Sequence, residues 1–173
     1  MDGGSLAMIA AMVGLIIMSA FFSATETAFS SLNRIRVKNL VAAGHKRYAL
    51  VLKLSEKYDT LLSAILIGNN IVNLSASSLS TMLATKMATQ LGAGANAATF
   101  VGLATGILTI LILIFGEITP KTLASIHQER LALAYAKPIR ILMIIMTPVI
   151  FLMNHISGAV LTLLGSDTKP RSN

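Results

Sequence analysis

Cysteine and tryptophan are both absent from the 173 residues. Without thiols there is no disulfide framework, no thiolate zinc site and no cysteine nucleophile. Charge is scarce: only 12% of residues are Asp, Glu, Lys or Arg, about half of the roughly 25% that a soluble domain carries. A chain this poor in charge cannot cover a water-soluble globule. Disorder is excluded too, because 54% of the residues are hydrophobic and disordered chains are polar. Acids are the scarcest group, 7 against 14 Lys and Arg, for a net charge of +7. With aromatics at 5% and long apolar runs, that excess points to an integral membrane protein with cationic loops. Nucleic-acid binding explains it less well.

A bilayer-crossing helix needs about 20 mostly apolar residues. Residues 6–32, 61–83 and 95–115 qualify. The first lacks the basic start of a cleaved signal peptide and is expected to stay on the protein. Residues 139–164 form a fourth apolar run, interrupted by Pro148 and by Asn154-His155. Arg34, Arg36, Lys38, Lys46, Arg47, Lys53 and Lys57 face a single acid, Glu56, between the first two runs, whereas Lys86 is alone between the second and third. Positive loops stay in the cytoplasm. The N-terminus is therefore expected outside, with residues 34–57 and 121–137 inside.

Cations flank the fourth run on both sides, including Lys169 and Arg171 in the polar tail at 166–173. It reads as a cytoplasm-facing helical hairpin split at Pro148 or a half-embedded belt, with a full crossing as the other possibility. The expected fold is an all-α membrane protein with three transmembrane helices, cytoplasm-facing juxtamembrane helices and this C-terminal hairpin or belt. The C-terminus is then cytoplasmic, and 1–165 is one membrane domain. Residues 35–58 suit either amphipathic helices on the membrane surface or a loop packed beneath the bundle.

Ionisable or strongly polar groups inside a span are costly and default to functional hypotheses. Three clusters interrupt the apolar runs. Ser19, Ser23, Glu26 and Ser30 share one face of the first helix. Asn70 and Asn73 share a face in Ile67-Gly68-Asn69-Asn70-Ile71-Val72-Asn73. The third is Phe115-Gly116-Glu117-Ile118-Thr119-Pro120-Lys121. At a rise of 1.5 Å per residue, Ser23 lies about 16 Å from Arg34 and Asn70 about 19 Å from Lys57. Both are near the middle of a core whose half-thickness is about 15 Å. Pro120 lacks an N–H and should break its helix, freeing carbonyls near Gly116.

Hydroxyl, amide and carbonyl oxygens with two carboxylates make a hard-cation inventory. Mg²⁺ takes about six oxygens and Ca²⁺ six to eight, while zinc or copper would recruit His or Cys. Of the acids, Asp2, Glu56, Asp59, Glu129 and Asp167 fall at ends or in loops, leaving Glu26 and Glu117 within the spans. Bland alternatives stand beside this reading. The hydroxyls at 75–80 suit helix–helix contacts, Glu26 could pair with Arg34 or Lys121, Glu117 with Lys121, and Pro120 could be a plain helix stop. No Ser/His/Asp triad or phosphate-cradling loop is present, so no enzyme activity is expected.

The motifs at 19–28, 67–73 and 115–121, in this order and spacing, resemble the transmembrane domain of the CNNM/CorC family of Mg²⁺ transporters. The resemblance covers almost the whole chain. It implies a homodimer in the cell membrane, a dehydrated Mg²⁺ held between the spans, and Mg²⁺ export coupled to Na⁺. Carried over by position, Ser23, Asn70 and the Gly116 carbonyl would be Mg²⁺ ligands. Glu26, Asn73 and Glu117 would be ligands or their supports, with Ser19 a further possibility. Thr25 stands where many relatives carry a smaller Ser or Ala. The ATP-binding cystathionine-β-synthase-type (CBS) domains of relatives are not in this chain, which is then either a truncation or a minimal member. A non-transporting scaffold or Mg²⁺ sensor, and a passive cation channel, are the rival functions.

Overall fold

The computed structural model describes residues 3–165, and every regular element among them is helical. Helix α1 runs over Gly3–Ser31, α2 over Arg34–Ala42, α3 over Ala49–Glu56 and α4 over Tyr58–Gln90. After α5 (Ala97–Leu113), a π-helical turn at Ile114–Ile118 leads into α6 (Thr119–Ile126), and α7 (Gln128–Leu163) follows. The breaks have local causes. Asn33 caps α2, its side-chain oxygen accepting from the Arg36 N–H at 3.0 Å. Gly44 ends α2 with φ +96°, and the His45 N–H returns to the Leu40 carbonyl at 3.0 Å. Gly92 closes α4 in the same way, with φ +65° and the Ala93 N–H bonded to the Ala88 carbonyl at 3.0 Å. Only glycine takes this left-handed position without strain.

Helices α1 and α4 form the central pair. Phe22 packs on Gly68, Ser19 meets Asn73 and Ser80 meets Met12, so the two run antiparallel. At the basic end of the pair, Phe22, Phe29, Val37, Val51, Leu61, Ile65 and Ile139 are buried together. Val37, Val51 and Leu54 thus seat α2 and α3 beneath the bundle, which favours the packed-loop reading of residues 35–58. Their lysines and arginines stay exposed. Helix α5 buries none of its residues.

Four helical stretches are long and apolar enough to cross a membrane: Gly3–Ser31, Tyr58–Gln90, Gly94–Ile126 and Gln128–Leu163. Large apolar side chains such as Ile17, Leu74, Leu103 and Ile145 point outward from them. The all-α membrane fold is as expected, but the C-terminal hairpin is corrected. Pro138 and Pro148 both lie inside the one continuous helix α7. Proline keeps a helical φ and removes only one hydrogen bond, a loss that membrane helices tolerate. By length and composition α7 instead qualifies for the full crossing, a fourth candidate span beside the three expected. Glu129 pairs with Arg36 at 2.6 Å, and about 16 Å further along α7 Arg140 sits beside Leu54 and Lys57. Both stations are at the basic end. Pro120 likewise does not stop its helix, because the π turn before it absorbs the irregularity and α6 continues. The tail expected at 166–173 lies outside the described residues.

Candidate cation site

The close approach of α1 and α4 has a simple origin. Gly68 lacks the Cβ that would lie 2.5 Å from Cζ of Phe22. With the helices held this near, Ser19 on α1 reaches three acceptors. Its Oγ lies 2.9 Å from Asn73 Oδ1, 3.5 Å from Asn69 Oδ1 and 3.4 Å from the Gly116 carbonyl oxygen. Gly116 is also close-packed, though less severely than Gly68, since a Cβ there would lie 3.0 Å from Ser19 Oγ. Pro120, four positions on, has no N–H to offer the Gly116 carbonyl in α-helical register, and in the π turn bonding runs five residues back, from the Thr119 N–H to the Ile114 carbonyl. The Asn73 amide donates in turn to Glu117 Oε1 at 3.1 Å, joining α4 to the π turn.

Three acceptor oxygens therefore converge on one hydroxyl that owns a single proton. One turn along the same face, Ser23 is completely buried, and its hydroxyl has no hydrogen-bond partner. Leaving a buried hydroxyl unmatched costs about 1–3 kcal/mol. The candidate oxygens are those of Ser19, Ser23, Asn69, Asn73, Gly116 and Glu117, contributed by α1, α4 and the π turn. They offer hydroxyl, amide, carbonyl and carboxylate groups, with no nitrogen or sulfur ligand. Among the described residues, no three His, Cys, Asp or Glu side chains come together as a metal group. A cation here would rely mainly on neutral oxygens.

Of the residues singled out from sequence, Ser19, Asn73, Gly116 and Glu117 are brought into contact, and Ser23 is on the same face of α1. Glu26 is half-buried about 10 Å along α1 from Ser19 toward the basic end. Asn70 is exposed and stands outside this hydrogen-bonded group. Asn69 takes the place beside Asn73, and sequence reasoning missed it. The signal in the sequence is its i, i+4 spacing to Asn73, which shares a helix face as readily as the i, i+3 spacing of Asn70. The one ion pair among the described residues is Arg36–Glu129, so neither Glu26 nor Glu117 is locked to a cation. Ser80 does serve as helix contact, bonded to the Ala76 carbonyl at 2.8 Å and lying 3.6 Å from Met12 Sδ. Thr25 is accommodated by its own helix, donating to the Phe21 carbonyl at 2.7 Å.

Long apolar helices, outward-facing aliphatics and a half-buried oxygen cluster between them define a multi-pass membrane domain with a polar site among its helices. The family described as the cyclin M (CNNM) transmembrane N-terminal domain matches residues 10–173, and the chain belongs to it. It is 36% identical over 151 residues to the UPF0053 inner membrane protein YfjD of Escherichia coli, covering 87% of this chain and 33% of that protein. A UPF0053 protein of Haemophilus influenzae is 38% identical over 150 residues, 87% of this chain and 34% of that one. A chloroplastic DUF21 domain-containing protein of Arabidopsis thaliana is 32% identical over 151 residues, 87% and 22% of the two chains. The chain thus spans about a third or less of the length of these relatives, which carry further sequence outside the matched region.

Proposed function

We propose that this domain transports Mg²⁺ across the membrane, exporting it in exchange for Na⁺ by alternating access, and that it catalyses no covalent chemistry. The observation that carries the reading is the convergence of acceptors on Ser19, with the unpartnered Ser23 hydroxyl beside it. A cation among these oxygens would take the lone pairs that one hydroxyl proton cannot satisfy. Six oxygens match the coordination number of Mg²⁺, which is about six. The Glu117 carboxylate offsets part of the ionic charge. Glu26, on the same face nearer the basic end, stands on the approach from the cytoplasm.

In this reading the N-terminus is outside, the basic end faces the cytoplasm, and two copies form a homodimer in the cell membrane. Na⁺ competes for the same oxygens when the site opens outward, giving exchange without a second site. The test is Mg²⁺ efflux from vesicles containing the reconstituted chain, with and without external Na⁺. Efflux that needs the Na⁺ gradient and disappears in Asn73→Ala supports the proposal. Absence of flux would leave a scaffold or sensor, and Na⁺-independent conductance would leave a channel; either result overturns it.

A further inference from the structure

A second feature lies at the basic end, away from the oxygen cluster. Helices α3, α4 and α7 border a cleft of about 280 Å³ with Lys53, Lys57 and Arg140 on its walls and Leu54, Met143 and Ile144 beneath them. The three cations come from three elements: α3, the residue capping α4, and α7. None of them is in an ion pair among the described residues. Glu56 and Asp59, the acids nearest in sequence, do not line the cleft. Like charges gathered without a counter-charge repel one another, and an anion placed among them relieves that repulsion.

The depth of the cleft is legible from the charges. Arg140 is the last Asp, Glu, Lys or Arg on α7, and α4 carries none between Asp59 and Lys86. The cleft therefore sits where both helices leave a charged environment for an apolar one. Its apolar floor continues along α7 through Ile141, Ile144 and Ile145, which are 58%, 63% and 66% exposed. The Thr60 hydroxyl also lines the wall, whereas the Thr147 hydroxyl is already bonded to the Met143 carbonyl at 2.8 Å. A matching ligand has an anionic head for the cations and an apolar tail for α7. A free anion would leave the apolar track unused.

We propose that this cleft binds one anionic phospholipid, its phosphate among Lys53, Lys57 and Arg140 and an acyl chain along the outward face of α7. Basic pockets between membrane helices are suited to such head groups. A bound lipid here bridges α7 to α3 and α4.

The test uses the chain in detergent with phosphatidylglycerol, phosphatidylcholine or glycerol phosphate as the added probe. Saturable binding is read by native mass spectrometry and by thermal shift. Phosphatidylglycerol should bind as a single retained molecule and raise the melting temperature, with little effect from the other two. The variant Lys53→Gln/Lys57→Gln/Arg140→Gln should weaken that binding by about tenfold or more relative to Lys38→Gln/Lys46→Gln/Lys137→Gln, which removes equal charge elsewhere. If the triple variant does not fold, Arg140→Gln alone should still lower retention more than Lys137→Gln does. Equal loss in both sets would mean diffuse attraction, and equal protection by glycerol phosphate would mean a simple anion site. Equal retention of phosphatidylcholine would mean no head-group recognition. Each of these results overturns the proposal.

Discussion

Replacing Gly68 by alanine probes the contact on which the oxygen cluster depends. The new methyl carbon would lie 2.5 Å from Cζ and 2.7 Å from Cε1 of Phe22. Carbon–carbon contact needs about 3.5 Å, so the ring or a helix must move by about 1 Å. The ring has little room, being 2% exposed and packed against Phe21 at a centroid distance of 5.4 Å. Overpacking of this kind costs about 1–3 kcal/mol, and alanine returns about 0.5–1 kcal/mol through helix propensity. The net loss is then about 1–2 kcal/mol, lowering Tm in detergent by about 3–6 °C.

Function should suffer more than stability in this variant. The same displacement would carry Asn73 away from Ser19, stretching their 2.9 Å bond past hydrogen-bonding range, about 3.5 Å. Mg²⁺ efflux from vesicles should fall by far more than the Tm change suggests. Adding Phe22→Leu, which shortens the obstructing ring, should recover part of both losses. Wild-type Tm together with wild-type efflux in Gly68→Ala would refute the reasoning, because the α1–α4 separation would then not govern the site.

Pro120→Ala supplies the missing N–H to the Gly116 carbonyl. It should raise Tm by a few degrees and lower Mg²⁺ efflux, and unchanged efflux would show that this carbonyl serves no ion. The Arg36–Glu129 pair is exposed on its arginine side, at 62%. Arg36→Ala should therefore cost less than about 1 kcal/mol, and a larger loss in a thermal melt would mean that the pair holds α7 in place.

The membrane fold was open to sequence reading because its signals are compositional: apolar length, cationic loops and polar residues at the wrong depth. A freed carbonyl near Gly116 could be read as well, since Pro120 removes one N–H from the helix, but not the π turn that carries it. The choice between Asn69 and Asn70 could not. Both are asparagines near Asn73, and the rotation of α4 that selects one of them is set by Phe22 packing on Gly68, a contact between distant segments. Pro148 shows the opposite limit. Proline reports a lost hydrogen bond, but whether the chain folds back there depends on packing against α1, α3 and α4. Ser23 is buried, and its lack of a partner emerges only in the assembled structure.

Mg²⁺-dependent thermal stabilisation of the wild type, Ser23→Ala and Asn73→Ala tests the cation site most directly. Binding at a hundredfold excess over Kd contributes about 2.7 kcal/mol, so Mg²⁺ should raise the wild-type Tm by about 5–10 °C. Ser23→Ala removes an unmatched buried hydroxyl, so without Mg²⁺ it should melt no lower than wild type by more than about 2 °C. Both variants should lose most of the Mg²⁺-induced rise. Full Mg²⁺ stabilisation retained in both would contradict the assignment of the ion to these oxygens.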